Sequence, residues 1–446
     1  MSSLKLCKNT KKKTLEQKNN RIFALIKSLM YKSQSSIGMR SYFSLLSYPL
    51  LGTSISLVAS ILAGHLFHGI IPPLASFIIS LNLLVLAFLT KKAIKQTCMI
   101  YLTVFFIGLT LTNLQAKRQA PTPTYHSYHE LSSLDRVKIK AMRWRQEIEH
   151  SYQEKHITQQ ELAVISAMTL GDKSHITSET RTNYSISGAS HILAVSGLHI
   201  SIIFQLFLLL GGKKKRHPYI PVACALMGIW AYTLFIGMPA SSVRASSMLS
   251  IYSAAILMGR KRLSINGLLL AAIAMLIYSP SYLFDISFQL SFLAVASILL
   301  LYPLLGKNVI WVSLAAQIGT MPITAYYFGR ISCYSLLTNL IAIPAATLIL
   351  HLAVLFMLCH PLPMLQGWAG WALAWVAKIT NNSLSWIAHL PGASIEGIKI
   401  NILQLCLAYG AIVAGYLLIR KSHQFHLHRS HLSSSDKVDN HLEDQT

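Results

Sequence analysis

Residues 333–358 read CYSLLTNLIAIPAATLILHLAVLFML, a run without a single Asp, Glu, Lys or Arg. A helix needs about 20 mostly apolar residues to cross the hydrocarbon of a bilayer, so this run alone is long enough to span. Working outward, apolar blocks at 284–304 and 309–328 precede it, and blocks at 365–389 and 400–419 follow. Further upstream lie 190–210, 219–237, 241–258 and 265–279, and before a polar segment at 115–188 stand 50–68, 72–90 and 97–114. The pattern predicts an all-α polytopic integral membrane protein, with about 10–12 transmembrane helices and a short, mostly helical extracytoplasmic segment. Composition agrees: 53% of residues are hydrophobic, 12% are charged and the mean hydropathy is +0.48, whereas soluble domains carry roughly 25% charged residues. Soluble, disordered, collagen-like and disulfide-scaffold classes are excluded.

Charge placement predicts the topology. The net charge is +24, yet excess Lys and Arg is ordinary in the cytoplasmic loops of membrane proteins. Clusters at Lys213-Lys214-Lys215-Arg216, Arg260-Lys261-Arg262, Lys307 and Arg420-Lys421 separate apolar blocks. With a basic arm at 1–49 inside, every cluster falls on the cytoplasmic side of a twelve-span ladder. The polar segment then falls outside and both termini are cytoplasmic. The arm lacks an apolar core before Tyr42, so no cleavable signal peptide is expected. The chain divides into the arm at 1–49, N-terminal helices at 50–114, an extracytoplasmic helical segment at 115–160, a membrane domain at 161–420 and a polar tail at 421–446. Within the polar segment, 135–154 reads as a solvated helix. Thr158-Gln159-Gln160-Glu161 fits a capping box, with Gly171 ending the helix that follows. The block 365–389 carries Trp368, Trp371, Trp375 and Trp386, which suit an interfacial belt as well as a span. The expected count therefore runs from ten to twelve.

Soluble catalytic motifs are missing. There is no G-x-x-x-x-G-K-[ST], G-x-G-x-x-G or H-E-x-x-H, so neither ATPase nor nuclease activity, and no cofactor, is expected. Cys7, Cys98, Cys224, Cys333, Cys359 and Cys406 are scattered without metal spacing, and the tail histidines (His423, His426, His428, His431) read as solvated. What stands out is polar residues inside apolar blocks, which are costly there and by default functional. These are His191, Ser196, His199, Arg244, Asp285, Gln289, Gln317, Arg330 and Asn339. In the twelve-span ladder all but Gln317 fall towards one leaflet, which points to a polar cavity opening outward. Asp285 is the sole acid between Glu179 and Glu396, so Arg244 is its expected partner. Glycine and proline at Ser196-Gly197, Gly237-Met238-Pro239 and Gly319-Thr320-Met321-Pro322 interrupt helices, as backbone lining a cavity does. The competing readings are simpler: charges that only neutralise one another, hydroxyls and amides that glue helices, and plain proline kinks.

The string Leu170-Gly171-Asp172-Lys173, followed by His191-Ile192-Leu193-Ala194-Val195-Ser196-Gly197-Leu198-His199, resembles the ComEC-type competence proteins. The likeness continues in order through Tyr232, Gly237 and Val243-Arg244-Ala245. It then takes in Ser279-Pro280 with Asp285-Ile286-Ser287-Phe288-Gln289-Leu290-Ser291-Phe292, then Ala316 to Pro322, Phe328-Gly329 and Asn339 to Pro344. The resemblance implies a channel for uptake of single-stranded DNA during natural transformation, in the bacterial inner membrane. It also implies that 161–420 is the competence membrane domain. Its path would be lined by His191, Ser196, Gly197, His199, Arg244, Asp285, Gln289, Gln317, Arg330 and Asn339. Arg244 and Arg330 would supply charge near the entrance, and Tyr326, Tyr327 and Phe328 either stack bases or form an interfacial belt. Full-length members carry an OB-type domain and often a metallo-β-lactamase-like domain, and neither is visible here. The expected partners are therefore single-stranded DNA and membrane lipid, with a separate DNA receptor, nuclease and cytoplasmic translocation ATPase. The oligomeric state stays open. Two other functions compete. Ala194-Val195-Ser196-Gly197 is similar to the G-x-S-G motif of rhomboid-type intramembrane serine proteases, though its first position is Ala and a second histidine motif is missing. The same Arg, Asp and Gln groups would also suit a secondary transporter of a small anion.

Overall fold

Every apolar block carries an α-helix. The structure, a computed structural model, describes residues 49–67, 70–90, 92–118, 133–154, 157–211, 219–258, 265–306 and 308–443. Before the polar segment stand α1 (Pro49–Leu66), α2 (Pro73–Leu89) and α3 (Ala93–Arg118). The polar segment folds as α4 (Ser133–Glu154), α5 (Gln159–Thr169) and α6 (Ser178–Ser187). Then follow α7 (Gly197–Leu210), α8 (Tyr219–Phe235), α9 (Ala240–Leu257) and α10 (Ile265–Tyr278), and a 3-10 turn at Pro280–Phe284. The chain ends with α11 (Ile286–Leu305), α12 (Val309–Phe328), α13 (Ser335–Leu358), α14 (Pro363–Ala388) and α15 (Ile402–Glu443). Two three-residue strands, β1 (Arg330–Ser332) and β2 (Ser394–Glu396), pair antiparallel with Arg330 opposite Glu396. The protein is an all-α polytopic membrane protein.

The local reasons are ordinary. Proline opens α2 and α14, where its missing N–H costs nothing. Gly329 at φ +62° ends α12. Among the described residues α3, α11, α13 and α15 hold stretches long and apolar enough to cross a membrane (Ala93–Gln115, Ile286–Leu305, Ser335–Leu358 and Ile402–Ser422). Since lipid tails are as apolar as Leu, such helices associate through small residues and close packing. A Cβ on Gly108 would lie 1.8 Å from the Ser60 hydroxyl, and one on Gly319 would lie 1.7 Å from the Ser297 hydroxyl. These two glycines let α1 meet α3, and α11 meet α12, backbone to backbone. Three cores result: one joins α4, α5, α6, α13 and α14, a second joins α7, α8 and α9, and a third joins α1, α10 and α11.

Several expectations are corrected. The block 190–210 is helical only from Gly197, and residues 189–196 are irregular. They follow α13: Thr338 in its first turn donates to the Ser187 carbonyl (2.8 Å), and Ile192 and Leu193 share a core with Ala342, Ala346 and Ile349. Hydrophobicity cannot distinguish such a buried irregular run from a helix. The capping box also fails. Thr158 makes no side-chain cap, and Glu161 is buried with one carboxylate oxygen lacking a partner. The nine residues from Glu161 to Thr169 are all buried, because α5 packs against α13 and α14 instead of facing solvent. A third helix in the segment, α6, was not foreseen.

The strict twelve-span ladder fails at one place. It sets Ser151 outside and the turn between α13 and α14 inside, about 30 Å apart. The structure puts the Ser151 hydroxyl 3.2 Å from Gln366 Nε2 and the Tyr152 ring 4.8 Å from that of Phe356. Groups in contact cannot lie on opposite faces. The pairing of β1 and β2 brings the two ends of the α13–α14 hairpin together, and the contacts of Ser151 and Tyr152 set its turn against α4. The basic clusters at 213–216, 260–262 and Lys307, and the arm up to residue 48, lie outside the described residues.

Candidate functional site

The irregular run begins at Gly188, whose φ of +89° favours glycine. A Cβ there would also lie 2.8 Å from the Ser332 hydroxyl. His191 is exposed, Ile192 and Leu193 are buried, and Ser196 caps α7. His199, on the first turn of α7, is fully buried. Its Nδ1 lies 3.1 Å from the Ser196 N–H and 2.8 Å from the Ser196 hydroxyl. A backbone N–H only donates, so Nδ1 accepts and the ring proton is assigned to Nε2. Nε2 is buried and has no partner among the described residues. The Ser241 hydroxyl donates to the Val195 carbonyl at 2.7 Å, which ties this run to the start of α9. Gly197 allows the same approach, its built Cβ lying 3.7 Å from that of Ala245.

One turn further along α9 comes Arg244, 1% exposed. Its Nη1 lies 3.4 Å from Asp285 Oδ2, and its Nη2 donates to the Ser287 hydroxyl. The other Asp285 oxygen accepts the Ser287 N–H at 2.8 Å, capping α11. Asp285 thus uses one oxygen on the helix and the other on the guanidinium. Gln289, one turn on, donates to the Leu283 carbonyl at 2.8 Å and closes the 3-10 turn. The expected Arg244–Asp285 pair is present, with Ser287 as a third member. Arg244 Nε is buried without a partner among the described residues.

The ten sequence-derived residues divide, with His191 exposed in the irregular run. Ser196, Gly197, His199, Arg244, Asp285 and Gln289 belong to one connected set around the starts of α7, α9 and α11. Arg330 stands elsewhere: it donates to the Ser185 hydroxyl at 2.8 Å and lies 2.9 Å from Glu396. It clamps the strand pair to α6, with its charge facing Glu396. Asn339, one turn into α13, keeps a buried amide oxygen without a partner among the described residues. Gln317 is half-buried in α12, two residues before the Gly319–Ser297 crossing.

Sequence reasoning missed Arg145. From α4 it reaches the Leu170 carbonyl (3.5 Å) and the Ile236 carbonyl (3.3 Å), at the ends of α5 and α8. A cation there meets the negative ends of two helix dipoles. Tyr232 adds a bond from its hydroxyl to the Thr169 carbonyl at 2.9 Å. The signal for Arg145 was its place on the face shared with Ala141, Ile148 and Tyr152, the face α4 buries. Beside it, His175 lies 2.8 Å from Glu149, and Asp172 accepts the Ser174 N–H at 2.8 Å. Burial raises the Asp172 carboxyl, but hydrogen bonds from Ser174 and the charges of His175 and Arg145 outweigh it and hold it below the usual carboxylate range. Among the described residues, His, Cys, Asp and Glu nowhere cluster as a metal site would require.

The connected set lies within a matched domain: residues 168–422 match the family described as Competence protein. The chain belongs to that family. It is 30% identical over 236 residues to ComE operon protein 3 of Bacillus subtilis (strain 168), an alignment covering 49% of this chain and 30% of that protein. It is 24% identical over 273 residues to Competence protein ComA of Neisseria gonorrhoeae, covering 58% of this chain and 38% of the relative. An uncharacterized protein, YcaI of Escherichia coli (strain K12), is 26% identical over 235 residues, covering 46% of this chain and 30% of its own. The match therefore spans about a third of each relative's length. No solved structure matches.

Proposed function

We propose that this chain is the channel core for uptake of single-stranded DNA during natural transformation, in a bacterial inner membrane, with both termini cytoplasmic. Membership of the Competence protein family over residues 168–422 carries the reading. Two features of the structure support it. Irregular backbone at 189–196 lies within the helical core, as in proteins that line a path through the bilayer. A fully buried arginine, Arg244, is held there by hydrogen bonds and one carboxylate. On this reading His191, Ser196, Gly197, His199, Arg244, Asp285, Gln289, Gln317, Arg330 and Asn339 line or frame the path. Binding of the incoming duplex, degradation of one strand and the driving ATP hydrolysis belong to separate proteins. Deleting the chain should abolish transformation while DNA still binds the cell surface. Normal transformation in a verified deletion strain without a paralogue would sink the reading.

One observation favours a serine hydrolase instead, the 2.8 Å contact between Ser196 Oγ and His199 Nδ1. The same Nδ1 takes the Ser196 N–H, the arrangement of a helix cap, and nothing orients Nε2 as a base requires. A serine-directed fluorophosphonate probe should leave Ser196 unlabelled. Stoichiometric labelling there would favour the hydrolase.

A further inference from the structure

Between residues 136 and 145 α4 carries five Lys or Arg and no acid. Arg136, Lys140 and Arg143 are exposed on one side of the helix. The 1.5 Å rise per residue sets them about 6 Å and then about 4.5 Å apart along the axis. Among the described side chains none of the three meets a carboxylate. A groove of about 390 Å³ runs over them, lined by Arg136, Val137, Ile139, Lys140 and Arg143. Trp144 is 50% exposed, with Lys140 Nζ 5.2 Å from its ring centroid.

The stripe adds little to the fold. Arg136 lies in the first turn, against the positive end of the helix dipole, and like charges three or four residues apart repel. Such a stripe suits a polyanion. We propose that Arg136, Lys140 and Arg143, with Trp144 beside them, form a landing site for single-stranded DNA. The cations take its phosphates and the indole takes a base. This rests on the DNA-uptake reading and adds the surface that first holds the strand.

An anionic membrane surface fits less well. A helix lying on lipid sinks a broad apolar face into the bilayer. α4 buries its broad apolar face in the protein, which leaves Val137 and Trp144 exposed on one side and Met142 on another. Ala141 and Tyr152 are buried, Ile148 packs on the same core, and Arg145 is fixed to the Leu170 and Ile236 carbonyls. Through Arg145, α4 also touches the end of α8, which the turn at 236–239 joins to α9, the helix that carries Arg244.

The test uses the full chain in nanodiscs of zwitterionic lipid, with a labelled oligo-dT and fluorescence anisotropy across a salt series. Each phosphate contact on a single strand contributes about −0.7 to the slope of log K against log salt, so a triple change to serine at 136, 140 and 143 should lower that slope by about 2. Trp144→Ala should weaken binding about tenfold at constant slope. Arg136→Lys with Arg143→Lys should keep the slope and serves as a control for folding. An unchanged slope in the triple variant overturns the inference, and does so in favour of a lipid-headgroup surface if transformation is nevertheless lost. In cells, a triple variant of normal abundance should transform far less than wild type. If the deletion strain fails and the triple variant succeeds, the landing site is wrong and the uptake reading stands. If the deletion strain transforms normally, the uptake reading itself falls.

Discussion

Asp285 performs two tasks, and substitutions can separate them. Asp285→Asn keeps an N-cap, since Asn and Asp cap about equally well, but removes the charge facing Arg244. Breaking a fully buried pair costs about 3–5 kcal/mol, while an exposed pair contributes at most about 1 kcal/mol. Here Arg244 is 1% and Asp285 35% exposed, so solvent screens one end only and a loss of about 1–3 kcal/mol is expected between those limits. Asp285→Ala also deletes the bond to the Ser287 N–H, adding about 1 kcal/mol. Arg244→Met removes the buried cation and leaves an aspartate that water can reach, so it should be the milder single change. The double variant, Arg244→Met with Asp285→Asn, should then be more stable than Asp285→Asn alone. Reversible unfolding of purified protein in mixed detergent micelles measures all four corners. Losses that add to within about 0.5 kcal/mol would refute the coupling. A charge swap, Arg244→Asp with Asp285→Arg, should not restore stability, because arginine cannot cap α11. Full rescue by the swap would equally refute the assignment.

Three further outcomes are expected. Gly188→Ala must adopt a φ of +89° with its methyl 2.8 Å from the Ser332 hydroxyl, and should cost more than the roughly 1–2 kcal/mol of left-handed backbone. Gly397→Ala, at φ +74° with nothing within 4 Å, should cost only the latter, and equal losses would contradict the packing. Because the Asp172 carboxyl titrates below its usual range, its contribution to stability is full above the unfolded value of about 3.9 and is lost as pH falls through the folded one. Asp172→Asn should flatten the acid limb of the stability–pH curve, and an identical limb would discard the assignment. Finally, cysteines placed at Ser151 and Gln366, in a background lacking the six native cysteines, should join through a short bis-maleimide. An impermeant maleimide should label cysteines at the exposed neighbours His150 and Leu365 from one side, and labelling from opposite sides would restore the twelve-span ladder.

Hydropathy revealed the helices because each apolar block is far longer than chance allows, yet it carries no information on which of them return. The residues that decide the α13–α14 hairpin are Ser151, Gln366, Tyr152 and Phe356, and none has a distinctive sequence context. Nor could periodicity separate 189–196 from the helix it precedes, since both are apolar. α5 was misread for the opposite reason. Gln159, Gln160 and Glu161 look like a solvated first turn, while seven of the next eight residues are small or apolar and bury on every side. The strand pair, three residues per strand, lies below what any pattern can signal.

The site was legible where residues were scarce. Asp285 had to find an arginine because so few acids lie in the membrane domain, and Arg244 meets it. Scarcity applied equally to Glu396, and its partner is Arg330, though without the β1–β2 register nothing in the sequence joined them. Both acids between residues 180 and 435 thus stand beside an arginine, and both arginines are committed: one is buried under α11, the other is clamped to α6. Neither offers a free positive charge to a phosphate. Those pairs stabilise the frame of the proposed path without attracting DNA to it. On the proposed reading, attraction falls to cations without carboxylate partners among the described side chains, such as the three on the outward face of α4. Pairing Arg244 and Arg330 with the two acids offsets the desolvation cost of a lone charge inside a membrane, which is why polarity singled out residues that frame the proposed path.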